Sequence, residues 1–301
     1  MRAVLLGLVL VIGCSADEDS FGGERLSDGF IRYKADSVRL QPGETKQFVQ
    51  WVSAPLDRDM DVISVRGSQG PGGHHALLYA SPDVEPVGTN RAWTSADQIT
   101  SRFLGGAGGE GASAATQLPP GAVLRVPAGS GFYIQSHYLN VGDEPIETGS
   151  TVDVMLAEPS PEFTVLSMFV SGTLAVSVPP GASEQTLICD VVEDTQLVLY
   201  FNHIHETGVS VATELRSGDG AVQMVKHDPA WDYEWSTAPN FRLETLEQPL
   251  VLTAGQQLVT TCNWNNLTDK TLRFPDEMCA FLGFYIGNND RACANGEWIN
   301  L

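Results

Sequence analysis

Apolar and polar residues alternate with a period of two along most of the chain, interrupted at short intervals by glycine, proline or asparagine. Between residues 38 and 157 the pattern is carried by "VRLQPGETKQFVQWVSAP", "DVISVRGS", "HALLYA", "AVLRVPAG", "GFYIQSHYLNVG" and "TVDVMLA". From residue 163 onward it resumes in "FTVLSMFVSGTLAVSVPPG", "SEQTLICDV", "TQLVLYFNHIHETGVSVATEL", "QPLVLTAGQQLVTTCNW" and "CAFLGFYIG". A repeat of two is that of a strand with one buried face, and short runs of it between turn residues predict an all-β protein. Two prolines break the pattern in "AEPSPEF" at 157–163, the predicted boundary between two halves. "FLGGAGGEGASAATQLPPG" at 103–121 is too rich in glycine and small polar residues for a regular element and is predicted as a long loop. "DPAWDYEWS" reads as a loop or edge whose aromatics anchor on the core. No close sequence repeat relates the halves. What recurs is an architecture of strands, turns and histidines near strand ends.

Composition narrows the function classes. The 301 residues are 43% hydrophobic, enough for sizeable cores, and the 30 glycines and 17 prolines suit many turns. With 17 basic against 37 acidic residues the formal charge is -20, which argues against nucleic acid or anionic headgroups as partners. "MRAVLLGLVLVIGCS" has one arginine, an apolar run from Ala3 to Ile12, then Gly13-Cys14, too short for a membrane span and suited to an export signal. It resembles a bacterial lipoprotein signal with Val11-Ile12-Gly13-Cys14 as the lipobox. That resemblance implies cleavage before Cys14, acylation of Cys14 as the membrane anchor, and sorting by Ser15 to the outer membrane. An ordinary secretory signal is the alternative. The expected organisation is a signal at 1–13, a flexible tether at 14–30, a first domain at 31–159 and a second at 160–301. Without Cys14, Cys189, Cys262, Cys279 and Cys293 remain, an even number in an exported chain, which suggests two disulfides. No CxxC spacing is present, so zinc-finger and iron–sulfur readings fall away.

Five of the six histidines fall in three places: His74 with His75, His137 alone, and His203 with His205. Adjacent residues of a flat strand point to opposite faces, so His74 and His75 converge only at a twist, bulge or strand start. The Gly-Pro-Gly-Gly run at 70–73 permits that geometry. His203 and His205 are two apart and share a face, a natural two-nitrogen clamp. Taken singly, each histidine is an ordinary polar residue; the grouping is what suggests a metal. Imidazoles suit copper, zinc, nickel or iron, and the lack of a carboxylate-rich motif argues against calcium. Met278 follows two acidic residues in "FPDEMCAFLGFYIG" and precedes Cys279. A methionine in that pattern is ordinarily a core residue, but a thioether beside two imidazoles selects copper, particularly Cu(I).

"HH", "HYLN", "HIH" and "DEMC", in this order, resemble the copper type II, ascorbate-dependent monooxygenases, the family of peptidylglycine alpha-hydroxylating and dopamine beta-monooxygenases. The resemblance spans residues 32–298. It implies two tandem antiparallel, jelly-roll-like β-sandwich domains with a copper site in each, facing across a cleft. His74, His75 and His137 fall on the ligands of the electron-transfer copper. His203, His205 and Met278 fall on those of the copper that meets O₂ and hydroxylates a substrate C–H bond. The resemblance also implies the bridges Cys262–Cys279, beside the methionine, and Cys189–Cys293, with two copper ions per chain and an ascorbate-like one-electron reductant. The animal enzymes carry disulfides in the first domain too; this chain has no cysteine there.

Substrate is where the resemblance departs. The peptide-amidating members hold a peptide carboxylate with an arginine two residues before the His-X-His pair and a tyrosine four after the methionine. Phe201 and Leu282 stand at those positions. A carboxylate there would lose charge-assisted hydrogen bonds worth about 2–5 kcal/mol. The expected substrate is therefore a small or amphipathic molecule without that carboxylate, with Phe201 and Leu282 lining its pocket. For an amine, Asp276 and Glu277 are the candidate partners. The alternatives are an exported copper-binding protein for storage, sensing or delivery, and a structural or adhesive β-sandwich lipoprotein with unrelated histidines.

Overall fold

The computed structural model describes residues 22–94, 97, 100–112, 118–173, 175–236, 238–274, 276–294 and 296–300. The signal and lipobox, Cys14 included, lie outside them. The chain is all-β, as the alternation predicts, and its strands are numbered here in chain order. One large sheet runs β1 (Glu24–Arg25), β2 (Ile31–Lys34), β13 (Ser150–Ala157), β5 (Met60–Gln69), β10 (Ala122–Val126), β14 (Thr164–Thr173), β22 (Cys279–Ile286), β16 (Thr195–His203) and β19 (Arg242–Leu243). β9 (Gly111–Ala112), β20 (Leu250–Leu252), β23 (Arg291–Ala294) and β24 (Glu297–Asn300) attach beside that path. A second sheet runs β7 (Asn90–Arg91), β4 (Thr45–Trp51), β11 (Gly131–Leu139), β6 (Gly73–Ser81) and β8 (Arg102–Gly108). A third runs β15 (Gly181–Asp190), β21 (Gln257–Asn266), β17 (Gly208–Arg216) and β18 (Val222–Asp228), and β3 (Val38–Leu40) pairs with β12 (Ile146–Thr148).

The large sheet draws on residues before and after 160. Its halves join where β10 runs parallel to β14, Ala122–Leu124 opposite Thr164–Leu166. On one face, Val62, Val65, Leu124, Val152 and Val154 pack with Leu78, Phe132 and Ile134 of the five-stranded sheet. The same buried cluster continues through Leu166, Leu199 and Phe284 of the second half. On the opposite face, Phe169, Tyr200, Phe281 and Tyr285 pack with Leu215, Val225 and Leu258 of the four-stranded sheet. The small sheets thus cover opposite faces of one long sheet at its two ends, each making a sandwich. A partly buried, bidentate ion pair from Arg102 of β8 to Asp290 adds a link between the halves.

Both disulfides expected from the resemblance are present. Cys189–Cys293 ties β15 to β23, with Cα atoms 6.2 Å apart, and Cys262–Cys279 ties β21 to the first residue of β22. The stretch near residue 231 follows the expectation in part: Trp231 packs on the core beside Val176 and Cys262, whereas Tyr233, in a short 3-10 turn at Tyr233–Ser236, is exposed.

Two expectations need correction. Residues 24–30, placed in the tether, belong to the fold: β1 pairs with β2, Phe30 is buried, and Arg66 lies over the Phe30 ring while bonding Asp28. Their polarity hid this because the contacts are ionic and made to residues distant in sequence. The glycine-rich stretch, predicted as a loop, contains β8. A Cβ at Gly106 would meet the backbone of Ala76 and come within 2.9 Å of the Leu77 Cα, and one at Gly67 would meet the Ala107 Cβ at 2.8 Å. Small residues here mark close approach of chains rather than irregularity.

Replacing Gly106 by alanine therefore pushes a methyl group into backbone that cannot step aside. We expect a loss of about 1–3 kcal/mol, read from the midpoint of urea unfolding. An unchanged midpoint would show that β8 does not seat as described.

Candidate metal centre

The first histidine group forms at a fault in strand pairing. β6 and β11 pair His75 with His137, then Gly73 with Tyr138, leaving His74 as the extra residue of a bulge. The bulge resolves the alternation problem: His74 turns toward the face that His75 and His137 already share. The ligand atoms of the three lie within 4.8 Å of one another, and His74 Nδ1 is 3.3 Å from His75 Nδ1.

The surroundings select a tautomer. The Thr45 hydroxyl donates to the Tyr138 carbonyl at 3.1 Å, so its oxygen accepts from His137 Nε2–H at 3.0 Å. Nδ1 of His137 is thereby left with a lone pair. Beneath the group, the buried Gln69 amide donates to the carbonyls of His75 and His137, fixing both strands where the bulge would loosen them. Thr45 and Gln69 carried no sequence signal, because their partners become neighbours only through the pairing of distant strands.

The second group sits where β16 ends. His203 pairs with Ala280 of β22, and His205 lies just beyond the strand. His205 Nδ1–H donates to the Asp276 carbonyl at 3.1 Å, leaving Nε2 as a lone pair, and this nitrogen faces His203 Nε2 at 3.2 Å. The segment carrying Met278 is anchored on both sides: residues 276 and 277 bond to His205, and Ala280 pairs with His203. Met278 lies between these anchors and is buried.

The donor sets fit a metal ion. Two imidazole nitrogens about 2.0–2.1 Å from a tetrahedral ion stand roughly 3.3–3.4 Å apart. The facing nitrogens are at 3.3 and 3.2 Å in the two groups. Burial of the rings lowers the pKa of His74, takes that of His75 well below 6.5, and lowers His137 to about 4 and His203 to about 3. Neighbouring imidazoles add to the effect at His75, His137 and His203. All four rings are neutral at pH 7, the form that binds metal. His75 Nε2 and His203 Nδ1 are buried without a hydrogen-bond partner. Residues of the second half add small effects of opposite sign: His205 lowers the pKa of His75 further, and Glu206 opposes the lowering at His74.

Phe201 and Leu282 are directly paired, both half-buried, and lie on the sheet face that carries His203. Phe201 packs on the core cluster shared with the first half. Glu277 is fully buried with both oxygens occupied, so it has no place for an amine; Asp276 is exposed.

The halves repeat each other in register. Residues 124–146 align without a gap on 250–272, keeping Leu124/Leu250, Ala128/Ala254, Gly129/Gly255, Asn140/Asn266 and Asp143/Asp269. Each asparagine is buried, donates to the carbonyl four residues on, and accepts from the amide two residues on. In β17 and β21, Gly208 pairs with Trp264 and Ser210 with Asn263, with Val209 the extra residue. Val209, Ser210 and Asn263 thus occupy the second-half counterparts of His74, His75 and His137. No imidazole is present there, and the place is an open depression of about 650 Å³ also lined by Ser183 and Glu184.

No protein-family model matches the chain, and no curated protein matches it. Among solved structures it is similar to the major capsid protein P2 from bacteriophage PM2, at 9% identity and a TM-score of 0.36, over 84% of this chain and 96% of that one. The PBSX exported protein XepA aligns at 10% identity and a TM-score of 0.21, over 85% and 86%. A single-residue variant of the oxalate decarboxylase of Bacillus subtilis aligns at 8% identity and a TM-score of 0.15, over 94% and 78%.

The depressed histidine pKa values give a sign for pH dependence. Below 6.5 the unfolded chain takes up protons that the folded imidazoles refuse, so metal-free protein loses stability as pH falls from 6.5 toward 4. Thermal unfolding of chelator-treated protein should follow that trend, with a shallower slope for His203→Gln. Equal slopes for the variant and the parent would contradict the assignment.

Proposed function

We propose that the protein is a copper-dependent monooxygenase of the cell envelope, hydroxylating a C–H bond of a small or amphipathic substrate with O₂ and an ascorbate-like reductant. The observation that carries this reading is the unlikeness of the two histidine groups: three imidazoles converge in one half, while in the other two imidazoles face each other and are bonded or paired to residues 276, 277 and 280, which flank Met278. A store or carrier has no need of such a division. Copper held there would supply the redox chemistry, an electron reservoir at the first set and O₂ reduction coupled to hydroxylation at the second.

The residues have distinct parts in this reading. His74, His75 and His137 offer three nitrogens, which support both copper oxidation states, while a weak sulfur ligand from Met278 favours the reduced state. Thr45 and the Asp276 carbonyl hold the ring tautomers of His137 and His205. The Phe201–Leu282 pair, on the sheet face of His203, forms an apolar wall against which a substrate without a carboxylate is positioned and from which water is excluded. The tandem copper domains facing across a cleft belong to this reading. So does a Cys14 lipid anchor holding the protein at the outer membrane, toward the periplasm or the exterior.

The test is anaerobic reduction of protein loaded with two coppers, then labelled O₂ and a panel of aromatic amines, phenylpropanoids and acyl-glycines, with products read by mass. One labelled oxygen atom in a product is expected. Met278→Ile should abolish hydroxylation while the fold and the first copper persist, and His137→Ala should starve the reaction of electrons while the second copper stays. Two bound coppers without oxygen insertion or substrate-dependent O₂ uptake would favour a copper-binding protein. Rapid hydroxylation of a peptide ending in glycine would refute the role given to Phe201 and Leu282.

A further inference from the structure

Glu277 is fully buried, yet no lysine or arginine forms an ion pair with it among the described residues. It accepts from His205 N–H at 3.1 Å and Trp264 Nε1–H at 3.0 Å through one oxygen. Through the other it accepts from Thr207 N–H at 2.8 Å and the Thr207 hydroxyl at 2.5 Å. Four donors and no acceptor face it, the pattern of a carboxylate anion. A buried charge ordinarily has a cation beside it, because desolvation is otherwise poorly compensated. Here the place for that cation is marked by two candidate ligands: His205, whose amide Glu277 binds although it lies far away in the chain, and Met278, the next residue.

The first half provides an internal comparison. Ser68 lies five residues before Gly73 and pairs with Thr151, as His203 lies five before Gly208 and pairs with Ala280. By that register the counterparts of His203, His205, Glu277 and Met278 are Ser68, Gly70, Thr148 and Gly149. In the half without metal donors at this place the buried carboxylate is replaced by a neutral threonine, also buried. The same backbone architecture therefore needs no anion there; the carboxylate accompanies the histidines and the methionine.

We infer that Glu277 is a positioning residue and buried counter-charge for the His203–His205–Met278 centre. It clamps the 205–207 turn to the Met278 segment so that all three donors converge, and its charge is balanced when a cation binds. This rests on the copper reading of that centre and adds to it a residue that touches neither substrate nor metal.

Glu277→Gln keeps the shape, removes the charge, and places an NH₂ against two donors. With Cu(I) as probe, the variant should keep the first copper and lose affinity at the second by about 10- to 100-fold. X-ray absorption at the copper edge should lose its sulfur contribution. Trp264→Phe, which removes one donor but leaves the charge, should keep two coppers and the sulfur signal. If Glu277→Gln does not fold, Glu277→Asp serves: the charge stays, the shorter side chain cannot hold both anchors, and the sulfur signal should weaken with copper still bound. Wild-type affinity and sulfur signal in folded Glu277→Gln, or in Glu277→Asp, would overturn the inference alone. A parent protein that binds no copper would sink the copper reading with it.

Discussion

Three residues of parallel pairing, Ala122–Leu124 against Thr164–Leu166, make one sheet out of two sandwiches. Everything about the relation of the two histidine groups depends on this junction. Because the sheet is continuous, the buried cluster beneath the five-stranded sheet extends to Leu199 and Phe284, on the face that also carries Phe201 and His203. The second group is thus held on the face of the sheet that the first half covers. A flexible linkage would leave that placement undetermined. Here it is set by hydrogen-bonded backbone, a shared core and the Arg102–Asp290 pair.

The two groups solve the same problem in different ways. Strand geometry sends neighbouring side chains to opposite faces, so convergence requires either a register fault or a spacing of two. The first group uses the fault at His74, secured by the Gln69 amide; the second uses the spacing of His203 and His205, secured by Glu277. Each half has the backbone for both solutions but carries donors at only one of them, with Val209, Ser210 and Asn263 at the other place in the second half. Duplication of the architecture therefore supplies two unlike histidine groups rather than two copies of one.

Alternation made most strands legible in the sequence, and the His-X-His spacing specified a shared face directly. The convergence of His74 and His75 was legible as a requirement, since only a bulge or strand end could meet it. The pairing of Cys262 with Cys279 and of Cys189 with Cys293 followed from resemblance, not spacing. What could not be read depends on contacts between distant residues. β8 lies in a run of glycine and alanine whose smallness serves close packing, and β1 lies in polar chain ordered by ion pairs. Thr45 meets His137 across 92 residues. Glu277 read with Asp276 as a candidate partner for an amine, because the donors that occupy its oxygens, from His205, Thr207 and Trp264, are distant in the chain.

The central claim is that two unlike metal centres exist, each built by its own half. Anomalous diffraction at the copper absorption edge, from crystals of copper-loaded protein, tests it most directly. Two peaks per chain are expected. One should lie about 2.0–2.1 Å from nitrogens of His74, His75 and His137, and the other at that distance from His203 and His205 with the Met278 sulfur turned toward it. A single peak shared between the groups, or density only at surface carboxylates, would contradict it.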